Sequence, residues 1–269
     1  MSSKDYDLVR FCLRHMTSKQ DIYILYDQAG IKYKRSDSYK KLLIRFEEAN
    51  NDMIDLSIIK NYHRRVWQPA PKELHLANLK TGLLKGHNWH GAMPSMLHLS
   101  FQNKVRDHID GRLTLQELIS IGADVMKHEY FMVCAHDLCE TAIIENDANT
   151  IPPISSKSIS DFVFDGIPYD LKITNYFQYQ TKHTVNENKT EVVKQLLAGA
   201  DVLRLREQAK KTINNWGLNR FYVLVEDQER WFIDPEGILE ELLSETKKVG
   251  EPIKIKIEGI TILTQLIAI

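Results

Sequence analysis

The stretch "SDFVFDGIPYDLKIT", residues 160–174, has a short run of aromatic and branched residues on each side of an Asp-Gly pair. Asp-Gly between two such runs is the strongest short-range signal for a β-hairpin with a two-residue turn. Asp161 lies in the first run, and Asp170 and Lys172 lie in the second, although strands disfavour aspartate. The stretch therefore predicts a hairpin whose charged residues need a separate explanation.

A two-residue turn at Asp165 and Gly166 fixes the register of this hairpin. Pairing outward from the turn sets Asp161 directly opposite Asp170, in a pair without hydrogen bonds between its members. Because side chains alternate between the faces of a sheet, both aspartates and Lys172 are predicted to share one face. The opposite face is predicted to be apolar and to consist of Phe162, Phe164, Ile167, Tyr169, Leu171 and Ile173.

Two opposed carboxylates predict a metal site. Like charges directly opposite each other destabilise a sheet, and a proton or a cation between them removes the repulsion. Mg²⁺ takes oxygen ligands and keeps several waters, which suits Asp161 and Asp170 at this separation. Lys172 would lie next to them, where an amine can orient or deprotonate water or stabilise charge on a phosphate. The alternative interpretation is a surface hairpin whose two aspartates are solvated.

Asp161, followed on the adjacent strand by Asp170-Leu171-Lys172, resembles the motif of the PD-(D/E)XK nuclease superfamily. This superfamily has the restriction-endonuclease-like fold. The resemblance covers roughly residues 130–234 and departs from the motif at Ser160, where the family has proline. It implies an α/β fold with a mixed central sheet flanked by helices, preceded here by a mainly helical N-terminal domain.

The resemblance also implies a cofactor and the roles of four residues. Mg²⁺, or Mn²⁺ as a substitute, would be bound by Asp161, Asp170 and the backbone carbonyl of Leu171. Lys172 would be the catalytic lysine that acts on the attacking water.

Many members of the superfamily place a glutamate on a helix before the hairpin, which implies a catalytic role for Glu140. Glu145 and His136 lie on the same predicted helix and compete with Glu140 for this position. The helix after the motif often carries a lysine or glutamine near the site, a place that Lys194 or Gln195 would take.

The charge of the chain is divided unevenly. Residues 1–110 hold 18 Lys and Arg against 12 Asp and Glu, and the remaining residues hold 17 against 24. A basic front part and an acidic back part favour a polyanion-binding domain at 1–110 joined to a nuclease domain at 111–269. Chance surface charge is the alternative interpretation.

The front part shows a helix, a glycine turn at Gly30 and a second helix, which is the outline of a helix-turn-helix unit. Thr17 is predicted to cap the first of these two helices. The basic side chains would contact phosphates and bases of double-stranded DNA; a solvated basic face is the alternative. The predicted DNA contacts are Lys34, Arg35, Lys40, Lys41, Arg64, Arg65 and Lys194.

Further elements follow from local patterns. A helix is predicted from about 114 and an apolar helix over 130–147, and Pro235 is predicted to open another helix. The other predictions are an irregular segment at 61–75, a helix from Thr190 to about Asn215, strands at 220–226 and 230–234, and one or two closing strands.

Composition bounds the class of protein. Hydrophobic residues make up 43% and charged residues 26%, which is ordinary for a globular protein. There is no run of 18 apolar residues and the N-terminus lacks a signal-peptide apolar region, so we expect a cytoplasmic protein without a membrane partner. The three cysteines contain no C-x-x-C, which argues against a disulfide framework and a cysteine zinc site.

These patterns and the resemblance together predict a Mg²⁺-dependent endodeoxyribonuclease that hydrolyses phosphodiester bonds of duplex DNA. The extra basic domain favours a type II-like restriction or defence endonuclease. The resemblance implies a homodimer, and a cognate DNA methyltransferase could be its functional partner. A repair or recombination nuclease, an RNA nuclease and a non-catalytic helix-turn-helix DNA-binding protein remain as alternatives.

Overall fold

The computed structural model describes residues 3–15, 18–48, 56–81, 95–153, 160–176, 180–198, 218–227 and 230–269. In these residues a five-stranded mixed sheet is flanked by helices and preceded by a mainly helical N-terminal part. The prediction of a mixed α/β protein is therefore confirmed at the level of fold class.

The sheet combines two hairpins with a parallel centre. Its strands are β1 (Phe162–Phe164), β2 (Ile167–Asn175), β3 (Arg220–Val225), β4 (Ile253–Ile257) and β5 (Ile260–Ala268). The spatial order is β1-β2-β3-β5-β4. The β1–β2 and β4–β5 pairs are antiparallel, whereas β3 runs parallel to both β2 and β5.

The helices of the described residues are numbered in chain order. They are α1 (Ser3–His15), α2 (Lys19–Ala29), α3 (Tyr39–Glu48), α4 (Leu56–Val66), α5 (Lys72–Thr81), α6 (Ser95–Ile109), α7 (Leu115–Asn146), α8 (Lys182–Glu187), α9 (Lys189–Ala198), α10 (Arg230–Ile233) and α11 (Pro235–Thr246). Among these helices, none is long and apolar enough to cross a membrane.

The β1–β2 hairpin has the predicted turn and register. Asp165 and Gly166 adopt φ angles of 47° and 71°, the left-handed values that a two-residue hairpin turn requires. The pairs are Phe162–Tyr169, Val163–Pro168 and Phe164–Ile167. Val163 directs its backbone groups away from β2 and exchanges two hydrogen bonds of 2.9 Å with Ile151.

Helices cover both faces of the sheet. The predicted apolar face packs against α5, α7 and α11 and forms what we call the first core. Its buried side chains include Leu79, Leu138, Ile143, Phe162, Tyr169, Leu171, Ile173, Phe221, Trp231 and Leu242. The other face packs against α8 and α9 through a second core that includes Val185, Val192, Val193, Tyr222, Leu224, Ile262 and Leu266.

Helices α1 to α4 enclose a third apolar cluster, which we call the helical core. Its members include Leu8, Leu13, Ile22, Leu25, Tyr26, Leu42, Phe46, Ile59 and Tyr62. Ile151 and Val163 belong to the same cluster, so β1 contacts the N-terminal helices directly. The predicted domain boundary after residue 110 stays a prediction, and Leu79 of α5 lies in the first core.

Three local predictions were wrong. Ser18, and not Thr17, caps α2, because the Ser18 hydroxyl accepts a hydrogen bond from the amide of Asp21. The segment 61–75 is irregular only at 67–71, because α4 continues to Val66 and α5 begins at Lys72. The helix α4 was obscured by Arg64 and Arg65, which directly follow its buried positions Ile59, Tyr62 and His63.

The third wrong prediction was the strand at 230–234. This segment forms the short helix α10, in which Trp231 is buried, and its four residues are too few to show a helical period. The predicted helix at Pro235 is confirmed, with Asp234 as its cap. The two helical segments predicted around 114–147 are one helix, α7, and the predicted continuation of α9 over 199–215 lies outside the described residues.

Candidate metal centre

Asp161 lies where the pairing between β1 and β2 ends. The last pair is Phe162–Tyr169, and the amide of Asp161 also donates to the carbonyl oxygen of Tyr169 at 2.8 Å. Two residues of the first strand thus face one residue of the second, as in a β-bulge. The predicted direct opposition of Asp161 and Asp170 is therefore wrong, because strict alternation does not anticipate a bulge.

The side-chain carboxylate of Asp161 accepts the hydrogen bond that the next residue of the strand would otherwise accept from β2. Its Oδ2 accepts a hydrogen bond of 2.6 Å from the amide of Leu171, so the edge of β2 keeps a partner there. The same oxygen lies 3.6 Å from Nε2 of His136 on α7. Asp161 therefore connects the hairpin to the long helix.

His136 and Glu140 are four residues apart and so share one side of α7. His136 Nδ1 lies 3.9 Å from Glu140 Oε2. One ligand atom from each of His136, Glu140 and Asp161 lies within 4.8 Å of the other two. Their side chains are only 23%, 20% and 26% exposed, respectively, which leaves a partly enclosed cluster that solvent can reach.

Burial and charge perturb the pKa of each member of this cluster. Burial alone would lower the pKa of His136, but Asp137, Asp161 and Glu140 outweigh it and raise that pKa to about 10. Burial, helped by the two aspartates and opposed by His136, raises the pKa of Glu140 to about 8. Burial would also raise the pKa of Asp161, but His136 and the Leu171 amide outweigh it and lower that pKa.

Asp170 is held by cations from two strands. Its Oδ1 lies 2.7 Å from Nζ of Lys172, and its Oδ2 lies 3.2 Å from a guanidinium nitrogen of Arg220. Arg220 is its partner in the parallel register of β2 and β3. Burial raises the pKa of Asp170 and outweighs the lowering effect of Lys172 and Arg220. This carboxylate is thus part of an ion cluster on β2 and β3.

The donor set of His136, Glu140 and Asp161 fits a divalent cation. Carboxylate oxygens and an imidazole nitrogen bind such ions at about 2.1 Å, so two ligand atoms on one ion lie at most about 4.2 Å apart. The ligand atoms of the three residues lie within 4.8 Å of one another, so their side chains need to move only slightly closer together to bind one ion. In the part of the chain that the structure describes, these three residues form the one group with this spacing.

The other residues implied by the resemblance lie in different surroundings. Glu145 forms an ion pair of 2.9 Å with Lys72 and is not a member of the cluster. The side chain of Leu171 is buried in the first core, and the carbonyl ligand stays a prediction. Lys194 and Gln195 are exposed on α9, where Lys194 lies 3.2 Å from Glu191.

The predicted DNA contacts fall into two groups. Lys34, Arg35, Lys40 and Lys41 are exposed around the α2–α3 turn, and Arg65 is exposed at the end of α4. Arg64 instead donates to three backbone carbonyl oxygens, those of Ile144, Asp147 and Thr150. The guanidinium of Arg64 therefore joins α4 to the end of α7.

Two residues of the site were not predicted from the sequence. Arg220 begins β3, and only the parallel register places it next to Asp170. Asp137 follows His136 directly, and its Oδ1 lies 3.5 Å from His136 Nδ1. A carboxylate adjacent to a histidine was a usable signal for Asp137, whereas no local pattern identifies Arg220.

Comparison of the chain with protein-family models, with curated proteins and with solved structures finds no match.

Proposed function

We propose that this protein is a divalent-metal-dependent endodeoxyribonuclease that hydrolyses phosphodiester bonds of duplex DNA. The observation that carries the proposal is the meeting of three elements at one sheet edge. Helix α7 supplies Glu140, the residue directly before β1 is Asp161, and β2 supplies Asp170 and Lys172, whose charges act on Asp161. This order of elements is the one that the PD-(D/E)XK resemblance implies for its acidic residues and its lysine.

The residues of the site have separable roles in this proposal. A divalent cation, when bound, stabilises charge on the scissile phosphate and lowers the pKa of water. Glu140 and Asp161 hold the cation, and Asp161 also keeps the end of the hairpin in place. Lys172 is 47% exposed, so its ammonium group is accessible to a phosphate or to the attacking water.

The proposed DNA-binding surface lies on the N-terminal helices. We define it as Lys34, Arg35, Lys40, Lys41 and Arg65, which are all exposed. Exposed lysine and arginine side chains bind the phosphates of DNA and make affinity dependent on salt. The direct contact of β1 with the helical core joins this surface to the candidate cleavage site. A restriction or defence role, with a homodimer acting on two-fold symmetric sites, completes the proposal.

Plasmid and linear duplex DNA, incubated with the protein in Mg²⁺, in Mn²⁺ and in EDTA, test the proposal. Cleavage should require the cation, and Lys172→Ala should reduce it by at least about a hundredfold, since a positioned acid–base group contributes 10²–10⁴-fold. Lys254→Ala, which removes an exposed strand lysine of β4, is the matched control and should cleave normally.

The pattern of products separates the alternatives. Discrete fragments support a sequence-specific restriction-type enzyme, and a smear indicates a non-specific nuclease. Cleavage confined to RNA would overturn the choice of substrate. Binding of DNA without cleavage in either metal, unchanged in Asp170→Ala, would overturn the enzymatic proposal in favour of a non-catalytic DNA-binding protein.

A further inference from the structure

We infer that the cation of this site is bound through the imidazole of His136 together with Glu140 and Asp161, and that the site therefore prefers a first-row transition cation such as Mn²⁺ or Co²⁺ over Mg²⁺. This inference deepens the proposed function and rests on it for its biological meaning. It replaces the all-oxygen ligand set that the sequence predicts with a set of one nitrogen and two carboxylates.

The two ring nitrogens of His136 face different partners. Nε2 is directed at Asp161, whose Oδ2 lies 3.6 Å away, inside the cluster with ligand spacing. Nδ1 lies 3.5 Å from Oδ1 of Asp137, which is not a member of that cluster, and 3.9 Å from Oε2 of Glu140, which is a member. A histidine ligand typically binds its ion through one nitrogen and donates its other N–H to a carboxylate. The surroundings of His136 have this arrangement, with Asp137 as the positioning residue.

The second argument concerns Asp170. An all-oxygen site would use Asp170 beside Asp161, but the Asp170 carboxylate is shared between Lys172 and Arg220. A metal ion bound to Asp170 would therefore have to displace both Lys172 and Arg220 from its carboxylate. In the described residues the ionic partners of His136 and Glu140 are each other, Asp137 and Asp161, so a cation bound here displaces no lysine or arginine, although His136 must give up a proton to bind it.

Ligand chemistry then sets the metal preference. Mg²⁺ binds oxygen ligands almost exclusively, whereas imidazole is a good ligand for transition cations. Affinity for a mixed nitrogen and oxygen site rises from Mn²⁺ to Co²⁺ along the first row. The expected order of affinity for this site is therefore Mg²⁺ below Mn²⁺ below Co²⁺.

Metal binding to the whole chain in the absence of DNA tests this inference. Isothermal titration calorimetry with Mg²⁺, Mn²⁺ and Co²⁺ should give a dissociation constant for Mn²⁺ at least about tenfold below that for Mg²⁺. Pulsed electron paramagnetic resonance on the Mn²⁺ complex should show coupling to one imidazole nitrogen. His136→Gln should remove the nitrogen coupling and most of the Mn²⁺ preference. His136→Asp should create an oxygen-only site whose dissociation constants for Mg²⁺ and Mn²⁺ are similar.

Asp137→Asn tests the positioning residue and Glu145→Gln is its control. Loss of a carboxylate that orients a histidine ligand lowers metal affinity by about 10–100-fold, so Asp137→Asn should weaken Mn²⁺ binding in this range. Its nitrogen coupling should persist, since His136 remains. Glu145→Gln removes a carboxylate from the same helix that is paired with Lys72 and should leave Mn²⁺ binding unchanged.

Equal dissociation constants for Mg²⁺ and Mn²⁺ in the unaltered protein would overturn the inference, as would a Mn²⁺ complex without nitrogen coupling. Circular dichroism in EDTA identifies a variant that has failed to fold. In that case the dissociation constants and the nitrogen coupling of the unaltered protein alone test the inference. These results are distinct from failure of the proposed function, which would appear as nitrogen-coordinated Mn²⁺ binding without cleavage of DNA.

Discussion

Asp161 shows how one side chain serves both the fold and the site. Its Oδ2 accepts the amide hydrogen of Leu171 and also faces the imidazole of His136. The first contact closes the end of a hairpin, and the second belongs to a cluster that can bind a cation. Substitutions that keep or remove the oxygen should therefore separate these two roles.

Asp161→Asn keeps an oxygen that can accept from the Leu171 amide, whereas Asp161→Ala leaves that amide without this partner. An unsatisfied, partly buried amide costs about 1–3 kcal/mol, so Asp161→Ala should be less stable than Asp161→Asn by about that amount. Urea denaturation in EDTA measures the difference. Both variants should fail to cleave DNA in Mn²⁺, and equal stabilities would show that the hydrogen bond to Leu171 does not stabilise the hairpin.

His63 offers a second test at this scale, away from the metal centre. Its ring is 5% exposed, and Nδ1–H donates to the carbonyl oxygen of Pro152 at 2.8 Å. Its Nε2 is buried, and no acceptor in the described residues lies within hydrogen-bonding distance of it. A second proton on the ring would thus be buried without a partner. Burial lowers the pKa of His63 to about 4, although the Pro152 carbonyl works against this.

The lowered pKa gives stability a defined pH dependence. The pKa of His63 is about 6.5 in the unfolded chain and about 4 in the folded protein, so between these pH values the unfolded chain binds more protons. The contribution of neutral His63 to the free energy of unfolding is therefore complete above pH 6.5 and is lost as the pH falls to 4. The full loss is about 3 kcal/mol. Urea unfolding of His63→Gln should show a shallower fall in stability over this range, and an unchanged fall would mean that other groups cause it.

The β1–β2 hairpin is the element whose structure the sequence predicts best. Its turn residues, its register up to Phe162–Tyr169 and its apolar face are all as expected, because each depends on neighbours in the chain. The prediction fails one residue further on, at the bulge of Asp161, where α7 contributes His136. A contact between distant segments also explains why Arg220 was missed, since no local pattern encodes it. The buried side of α4 does follow a helical period, at Ile59, Tyr62 and His63, and was missed because of the basic residues and prolines around it.

Gly166→Ala tests the turn that fixes this element. Gly166 has a φ of 71°, and a left-handed conformation costs an L-residue about 1–2 kcal/mol, so the variant should lose about that much stability. Gly250→Ala is the matched control, because an added Cβ there meets nothing within 4 Å and no left-handed φ is involved. Since the turn also sets the register of Asp161, cleavage should fall in Gly166→Ala. A neutral effect on both stability and cleavage would contradict the importance of the turn.

At the scale of the whole molecule, contacts among the described residues join the N-terminal helices to the part of the chain that forms the sheet. Val163 of β1 and Ile151 belong to the helical core. Arg64 adds polar contacts, because it donates to the carbonyl oxygens of Ile144, Asp147 and Thr150. These three carbonyls lie at and just beyond the end of α7, the helix that carries His136 and Glu140. We call these contacts of Val163, Ile151 and Arg64 the joint. The joint links the proposed DNA-binding surface to the candidate metal centre.

Arg64→Ala should weaken this joint while leaving both parts folded. Hydrogen bonds from a charged donor contribute about 1.5–3 kcal/mol, so loss of this donor should destabilise the protein by at least that amount. Hydrogen exchange should become faster in the amides of 144–151, and cleavage should fall more than DNA binding, since the surface that we propose for binding does not include Arg64.

Arg65→Ala is the matched control for Arg64→Ala. Arg65 is the next residue of α4, is exposed and lies over the ring of Tyr62, with 5.3 Å between its guanidinium carbon and the ring centroid. Loss of an exposed phosphate contact should weaken DNA binding and reduce its salt dependence, while stability changes by about 1 kcal/mol or less. If Arg64→Ala and Arg65→Ala instead have the same profile, in which DNA binding falls and hydrogen exchange at 144–151 is unchanged, then Arg64 belongs to the DNA-binding surface and not to the joint.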